Sequence, residues 1–199
     1  MNRFEGTVNK FRGDGAMVLF GAPIAHEDHA RRACYAALYL RDELEGYARS
    51  VRREHGLGFS VRMGLNSGEV VVGEIGHDLD MDYTAIGNAV GLAARMEALA
   101  EPDKPYLTKS TAALVDGYFA LEDVGELQVK GLQAPVHAFA LVDVGSAQTR
   151  LDISARRGLS RFVGRAAEYE ALEAAYEHSR GSGRVVGLVA DPGIAKSRL

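Results

Sequence analysis

The sequence predicts an α+β fold, with helices laid over a mostly antiparallel sheet. Three observations carry that expectation. A glycine-punctuated pair of β-branched and aromatic runs opens the chain. A long stretch with apolar residues every three or four positions follows. Shorter strand and helix signals then alternate as far as residue 142.

The elements follow in order. "GTVNKF" (6–11) and "AMVLFGA" (16–22) read as strands, and the short, glycine-rich "RGDG" between them makes a hairpin. Residues 27–54 read as a helix, because Ala30, Cys34, Leu38, Leu44, Ala48 and Val51 recur at helical spacing with charges between them. "HGLG" (55–58) ends it. "FSVRMGLNSGEVVVGEIG" (59–76) reads as a second hairpin that turns at "NSG". A polar loop (78–87) leads into a short extended piece. "NAVGLAARMEALA" (88–100) is then a helix with Asn88 as its N-cap. "KPYLTKS" gives a short strand and "TAALVDGYF" a turn or two of helix; "LEDVGELQVKGL" and "PVHAFAL" close the body as a strand pair. Residues 143–161 lack apolar periodicity and read as a linker. From 162 a second unit opens with a helix starting near 165, followed by a buried strand at "GRVVGLV".

Composition narrows the function. Of 199 residues, 47% are hydrophobic and 25% charged, enough apolar material for a sizeable core. No stretch approaches the roughly 18 uncharged apolar residues needed to span a bilayer. "MNRFEGTVNK" lacks the apolar core of a signal peptide, and the single cysteine, Cys34, excludes an internal disulfide framework, so the expected compartment is the cytoplasm. Residues 1–142 carry 14 basic against 20 acidic residues, which argues against a nucleic-acid partner.

Two residues draw attention on chemical grounds. Asp14 is a carboxylate between two glycines at the tip of the first hairpin. It is either an ordinary turn residue or an oxygen ligand for a hard cation approaching the backbone. Arg95 lies four residues after Gly91 on one helix face, among small apolar neighbours, where it serves a surface ion pair or an anionic ligand. His26 and His29 in "HEDH" have no third ligand nearby and read as a solvated helix end.

Taken together, the blocks "KFRGDGAMVLFGAP", "VRMGLNSGEVVVGEIG", "MDYTAIGNAVGLAARMEALA" and "VGELQVKGL", in this order, resemble the catalytic domain of class III nucleotidyl cyclases, over roughly residues 4–142. The bacterial adenylate cyclase branch is the most similar. The resemblance implies a ferredoxin-like sandwich and conversion of ATP to cyclic AMP and pyrophosphate with Mg2+ or Mn2+. It places Asp14 as the second of two metal carboxylates, Lys10 and Thr84 as readers of the adenine, and Arg95 on the phosphates. It also implies a head-to-tail homodimer, in which one subunit supplies metal ligands and the other the base readers and the arginine. A lysine donates to the adenine ring nitrogen and a threonine hydroxyl accepts from its amine, so Lys10 with Thr84 favours ATP over GTP.

The chain departs from the family pattern in three places. The family domain opens with a strand bearing the first metal carboxylate; here Glu5 is the only acid before Asp14, on a different element, and the first strand is expected to be missing. Gly91 stands where the family helix carries an asparagine. The tail resembles the start of the signal-transduction ATPase domains found after such cyclases. Lys196 and Ser197 fit its phosphate loop, a degenerate one that also contains Gly193, but Ala190 and Ala195 replace both end glycines. The expected organisation is a cyclase domain (1–142), a linker (143–161) and the start of an α/β P-loop domain (162–199). Two other readings stay open: an impaired cyclase that binds nucleotide and regulates an attached ATPase, and a diguanylate-cyclase type, which "RGDGAM" does not match at the hairpin tip.

Overall fold

A computed structural model describes residues 2–75, 82–128, 134–146, 150–156, 158, 163–179, 183 and 185–189. The chain divides into two units, 1–146 and 147–199.

Strands β1 (Gly6–Arg12) and β2 (Gly15–Phe20) form the expected antiparallel hairpin. Gly13, at φ 60°, takes the left-handed position that a two-residue reversal demands. A bulge between Val8 and Lys10 sets two β1 residues opposite Met17, with Asn9 the extra residue. Helix α1 (His29–His55) ends at Gly56, whose left-handed backbone lets its N–H reach the Arg52 carbonyl at 3.0 Å. Its buried residues, Ala30, Cys34, Ala36, Ala37 and Leu38, all lie in the first half. The predicted stripe through Val51 is only half-buried beyond that point. Burial holds the Cys34 thiol up at about 12, so it stays protonated and inert.

The second hairpin differs from expectation. Strand β3 (Met63–Leu65) and strand β4 (Val71–Ile75) do not pair with each other. Instead β4 pairs antiparallel with β5 (Asp82–Ile86), and β3 pairs parallel with β6 (Pro105–Thr108). The "NSG" turn thus carries the chain from one sheet to another. Helix α2 (Asn88–Leu99) follows β5; its N-cap is Gly87, one residue earlier than expected, and Asn88 is the first helical residue. Helix α3 (Lys109–Val115) continues directly from β6. The closing strands β7 (Phe119–Leu127) and β8 (Val136–Val144) pair antiparallel and complete a sheet of order β3-β6-β8-β7.

The core sits between that sheet and α2, where Met96, Ala100, Tyr106, Ala138 and Ala140 bury together. Gly64 on β3 makes this contact possible. A Cβ there would stand 2.1 Å from the Glu97 nitrogen and 2.2 Å from the Ala93 oxygen, so strand and helix backbones touch. The segment from β2 through α1 to β3 is a strand–helix–strand crossover, yet β2 pairs only with β1, and β3 only with β6. Each keeps one edge without a described ladder beneath the helix that packs on both.

In the second unit, a short helix α4 (Arg150–Arg156) lies inside the expected linker, with Asp152 in its first turn, where the helix dipole favours an anion. Helix α5 (Ala166–His178) appears as predicted. The expected strand at 184–189 does not form among the described residues: 185–189 have no regular structure, and Val185 and Val189 are fully exposed. A buried parallel strand needs neighbours on its edges and faces, and this unit offers none among its described residues. Gly193, Lys196 and Ser197 lie outside the described residues.

Candidate functional site

The first hairpin carries two of the four predicted site residues. Lys10 sits on β1, opposite Met17, directly after the bulged Asn9. Asp14 sits at the exposed tip beside Gly13. Its carboxylate makes no hydrogen bond or ion pair among the described residues, so both oxygens are free for a ligand. Thr84 lies at the centre of β5, paired with Gly73. The backbone of β5 runs alongside β1, which brings the strands of Lys10 and Thr84 together; the structure describes the backbone of both residues but not their side chains.

Arg95 projects from the third turn of α2 and is half-buried. Among the described residues its guanidinium has no acidic partner. At 3.6 residues per turn, Ala89, Ala93, Met96 and Glu97 form the face towards β3, and Gly91 and Arg95 fall on the other side. A Cβ at Gly91 would meet nothing within 4 Å, so that position borders open space.

The acidic and histidine residues near the N-terminus are committed elsewhere. Glu5 adopts φ 56°, and its carboxylate accepts from Arg32 Nη1 at 2.7 Å and from His26 Nε2 at 2.9 Å. It is therefore no substitute for a metal carboxylate beside Asp14. His29 Nδ1 donates to the His26 carbonyl at 3.1 Å. The "HEDH" segment is thus the start of α1, as expected, with His26, Asp28 and His29 half-buried and Glu27 exposed, and His26 ties it to Glu5. Asp28 Oδ1 accepts from Arg32 Nε at 2.7 Å, and that bond holds its carboxyl below the ordinary range. No three His, Cys, Asp or Glu residues gather in a metal-binding cluster among the described residues.

Sequence reasoning missed two features behind the site. One is Gly64, a glycine inside a short strand, which commonly marks close backbone approach. The other is a polar node around Asn66. Asn66 Nδ2 donates to the Ala89 carbonyl at 3.0 Å, and Asn66 Oδ1 accepts from the Thr108 hydroxyl at 2.6 Å. Only the fold brings these residues together, since 42 positions separate Asn66 from Thr108.

The described backbone thus sets the strand of Lys10 beside the strand of Thr84, with Asp14 at the exposed tip of the same hairpin and Arg95 on the α2 face away from β3. The chain belongs to the family of the adenylate and guanylate cyclase catalytic domain, whose model matches residues 6–143. Adenylate cyclase 1 of Rhizobium meliloti (strain 1021) is 32% identical over 146 residues, covering 70% of this chain. The chain spans only 21% of that relative. The adenylyl cyclase CyaB from P. aeruginosa has a similar structure, with TM-score 0.67 and 32% identity, covering 75% of this chain and 76% of that one. The guanylate cyclase domain of RhGC from Catenaria anguillulae, solved in complex with GTP, gives TM-score 0.63 and 26% identity over 72% of this chain and 75% of that one. Both adenylate and guanylate cyclases occur among these relatives. No described helix is long and apolar enough to cross a membrane.

Proposed function

We propose that this chain carries the catalytic domain of an adenylate cyclase, converting ATP to 3′,5′-cyclic AMP and pyrophosphate in intracellular signalling. The observation that carries the reading is Arg95: a half-buried cation on α2 with no described acidic partner, in a chain of this family. Burying a cation without a counter-charge is unfavourable unless a ligand supplies one. The phosphates of ATP are such a ligand.

Each residue then has a task. Lys10 donates to the adenine ring nitrogen, and the Thr84 hydroxyl accepts from the exocyclic amine. The 3′ oxygen attacks the α-phosphorus, an O3′–P bond forms, and the bond to the bridging oxygen breaks to release pyrophosphate. Arg95 stabilises the extra negative charge on the crowded phosphorus. Asp14 fits a Mg2+ or Mn2+ site as one oxygen ligand, because such ions take one or two carboxylates together with substrate phosphates. When bound, the ion neutralises phosphate charge and favours ionisation of the attacking hydroxyl. Asp14 and Lys10 share one hairpin but serve different sites in a head-to-tail homodimer, so each site draws on two subunits.

The test is cyclic AMP formation from ATP with Mg2+ or Mn2+, for this chain and for a form extended at its N-terminus by a strand bearing an aspartate. Product is expected, more from the extended form, and Lys10→Glu should shift preference towards GTP. Failure of both forms to make cyclic AMP while still binding ATP would leave a nucleotide-binding regulatory module in place of the enzyme.

A further inference from the structure

We infer that Asn66 is a positioning residue that sets the seat of α2, and through it Arg95; as a statement about catalysis this rests on the cyclase reading above. Asn66 leaves the carboxyl end of β3, where the polypeptide departs for β4. Its carboxamide is used on both sides. Nδ2 donates to the carbonyl of Ala89, in the first turn of α2, at 3.0 Å. Oδ1 accepts from the Thr108 hydroxyl at 2.6 Å and lies 3.2 Å from the Ser110 hydroxyl. Thr111 Oγ1 donates to Ser67 Oγ at 3.1 Å. One amide therefore joins four elements: the ends of β3 and β6 and the first turns of α2 and α3.

Three further observations mark this node as a device for placement. Thr108 occupies the N-cap of α3, where its hydroxyl would ordinarily accept from the first helical N–H groups, yet it makes no capping bond and serves Asn66 instead. Thr108 and Thr111 are 4% and 1% exposed, so their hydroxyls depend on protein partners. The loop after Asn66 also presses on the start of α2: a Cβ at Gly68 would lie 3.1 Å from Ala89 Cβ, and one at Gly87 would lie 3.3 Å from the Glu69 oxygen. Little slack remains between this loop and the helix.

The discriminating variant is Asn66→Asp in the full chain. Its carboxylate keeps the acceptor that Thr108 and Ser110 need. It loses the donor to Ala89 and sets oxygen against oxygen there. The expected result is a kcat about 100-fold lower, the size of loss that follows a displacement of about 1 Å remote from the chemistry. KM for ATP should rise by less than kcat falls, because Arg95 meets the phosphates of bound ATP but interacts most strongly with the charge that develops on them in the transition state. Native-state hydrogen exchange should quicken at the amides of residues 92–95 and stay unchanged in α1. Thr108→Val, which removes the hydroxyl and keeps the shape, should shift both readouts in the same direction by less.

The two readings separate cleanly. If neither the unsubstituted protein nor its N-terminally extended form makes cyclic AMP, the cyclase reading fails, and exchange in α2 still decides the seat of the helix. Unchanged exchange in α2 of Asn66→Asp overturns the inference, and so does equal acceleration across α1 and α2, which makes Asn66 a general stability residue.

Discussion

Replacing Gly64 by alanine tests the contact on which the core and the site both depend. Gly64 has ordinary backbone angles, so alanine introduces no dihedral strain, and only the new methyl group matters. Elsewhere, a Gly→Ala change with compatible angles stabilises by about 0.4–1 kcal/mol through the unfolded state. Here the methyl carbon would stand 2.1 Å from the Glu97 nitrogen, 2.2 Å from the Ala93 oxygen and 2.8 Å from the Met96 carbonyl carbon. All three are backbone atoms of α2, so no rotamer change relieves the clash. The helix must retreat by about 1 Å or more to restore van der Waals distance. Overpacking of this kind costs about 1–3 kcal/mol, and the upper end applies where backbone meets backbone. For a unit of this size, about 3 kcal/mol lowers Tm by about 6–12 °C. The same retreat carries Arg95 with it, and on the proposed adenylate cyclase reading cyclic AMP formation well below Tm should fall about 100-fold. Thermal unfolding by circular dichroism and a cyclase assay at 15 °C measure the two effects. A Gly64→Ala protein with unchanged Tm and unchanged turnover would refute the close strand–helix contact and its link to Arg95.

Three other outcomes follow from single positions. Gly91→Ala should stabilise by about 1 kcal/mol, since helical glycine is unfavourable and the new methyl meets nothing within 4 Å; a lowered Tm would contradict the open space at that position. Asn9→Leu should raise the urea midpoint by an amount worth about 1–3 kcal/mol, because both polar atoms of Asn9 are buried without a hydrogen-bond partner; a lowered midpoint would show that the amide has a partner after all. Asp28→Asn should remove about 0.2–1 kcal/mol at pH 7. The Asp28 carboxyl titrates below its ordinary 3.8 in the folded protein because Arg32 donates to it, so this stabilisation is complete above the ordinary value and is lost as pH falls through the folded one. Urea titrations at pH 7 and pH 2 should therefore show a difference that disappears in acid.

Much of the fold was legible because local chemistry dictated it. Gly13 and Gly56 had to adopt left-handed angles, and both ended their elements where the sequence placed them. The long helix followed from its apolar spacing, but its burial did not. Periodicity reports a helix face and says nothing of how much sheet lies beneath it. The second hairpin was misread for a related reason: "NSG" signals a reversal, and a reversal is equally a crossing from one sheet to the next. That choice is settled by parallel pairing with β6, about 40 residues away, which no local signal contains. The strand expected at 184–189 shows the same limit. Its valines have the propensity for a strand, but among the described residues of this unit no neighbour pairs with them.

The proposed site residues stand out in the sequence as residue types, and their support does not. Asp14 and Arg95 stood out because a carboxylate between glycines and an arginine among alanines each break a local rule. What holds Arg95 in place breaks none, since Gly64, Asn66 and Thr108 are ordinary residues in ordinary strands and loops. Their role appears only in three dimensions. Gly64 admits α2 against β3 along Ala93, Met96 and Glu97, and Asn66 fastens the same helix at Ala89. The two contacts lie on one face of α2, a full helical turn apart, so together they fix both its height on the sheet and its rotation. Arg95 projects from the other face. In the role proposed for it, Arg95 meets a developing charge and has to be borne on an element with no freedom to roll. One contact would leave α2 able to pivot; two at different heights do not. On this argument Gly64→Ala and Asn66→Asp should impair turnover through the same displacement, and their combined effect should fall short of the product of the separate ones.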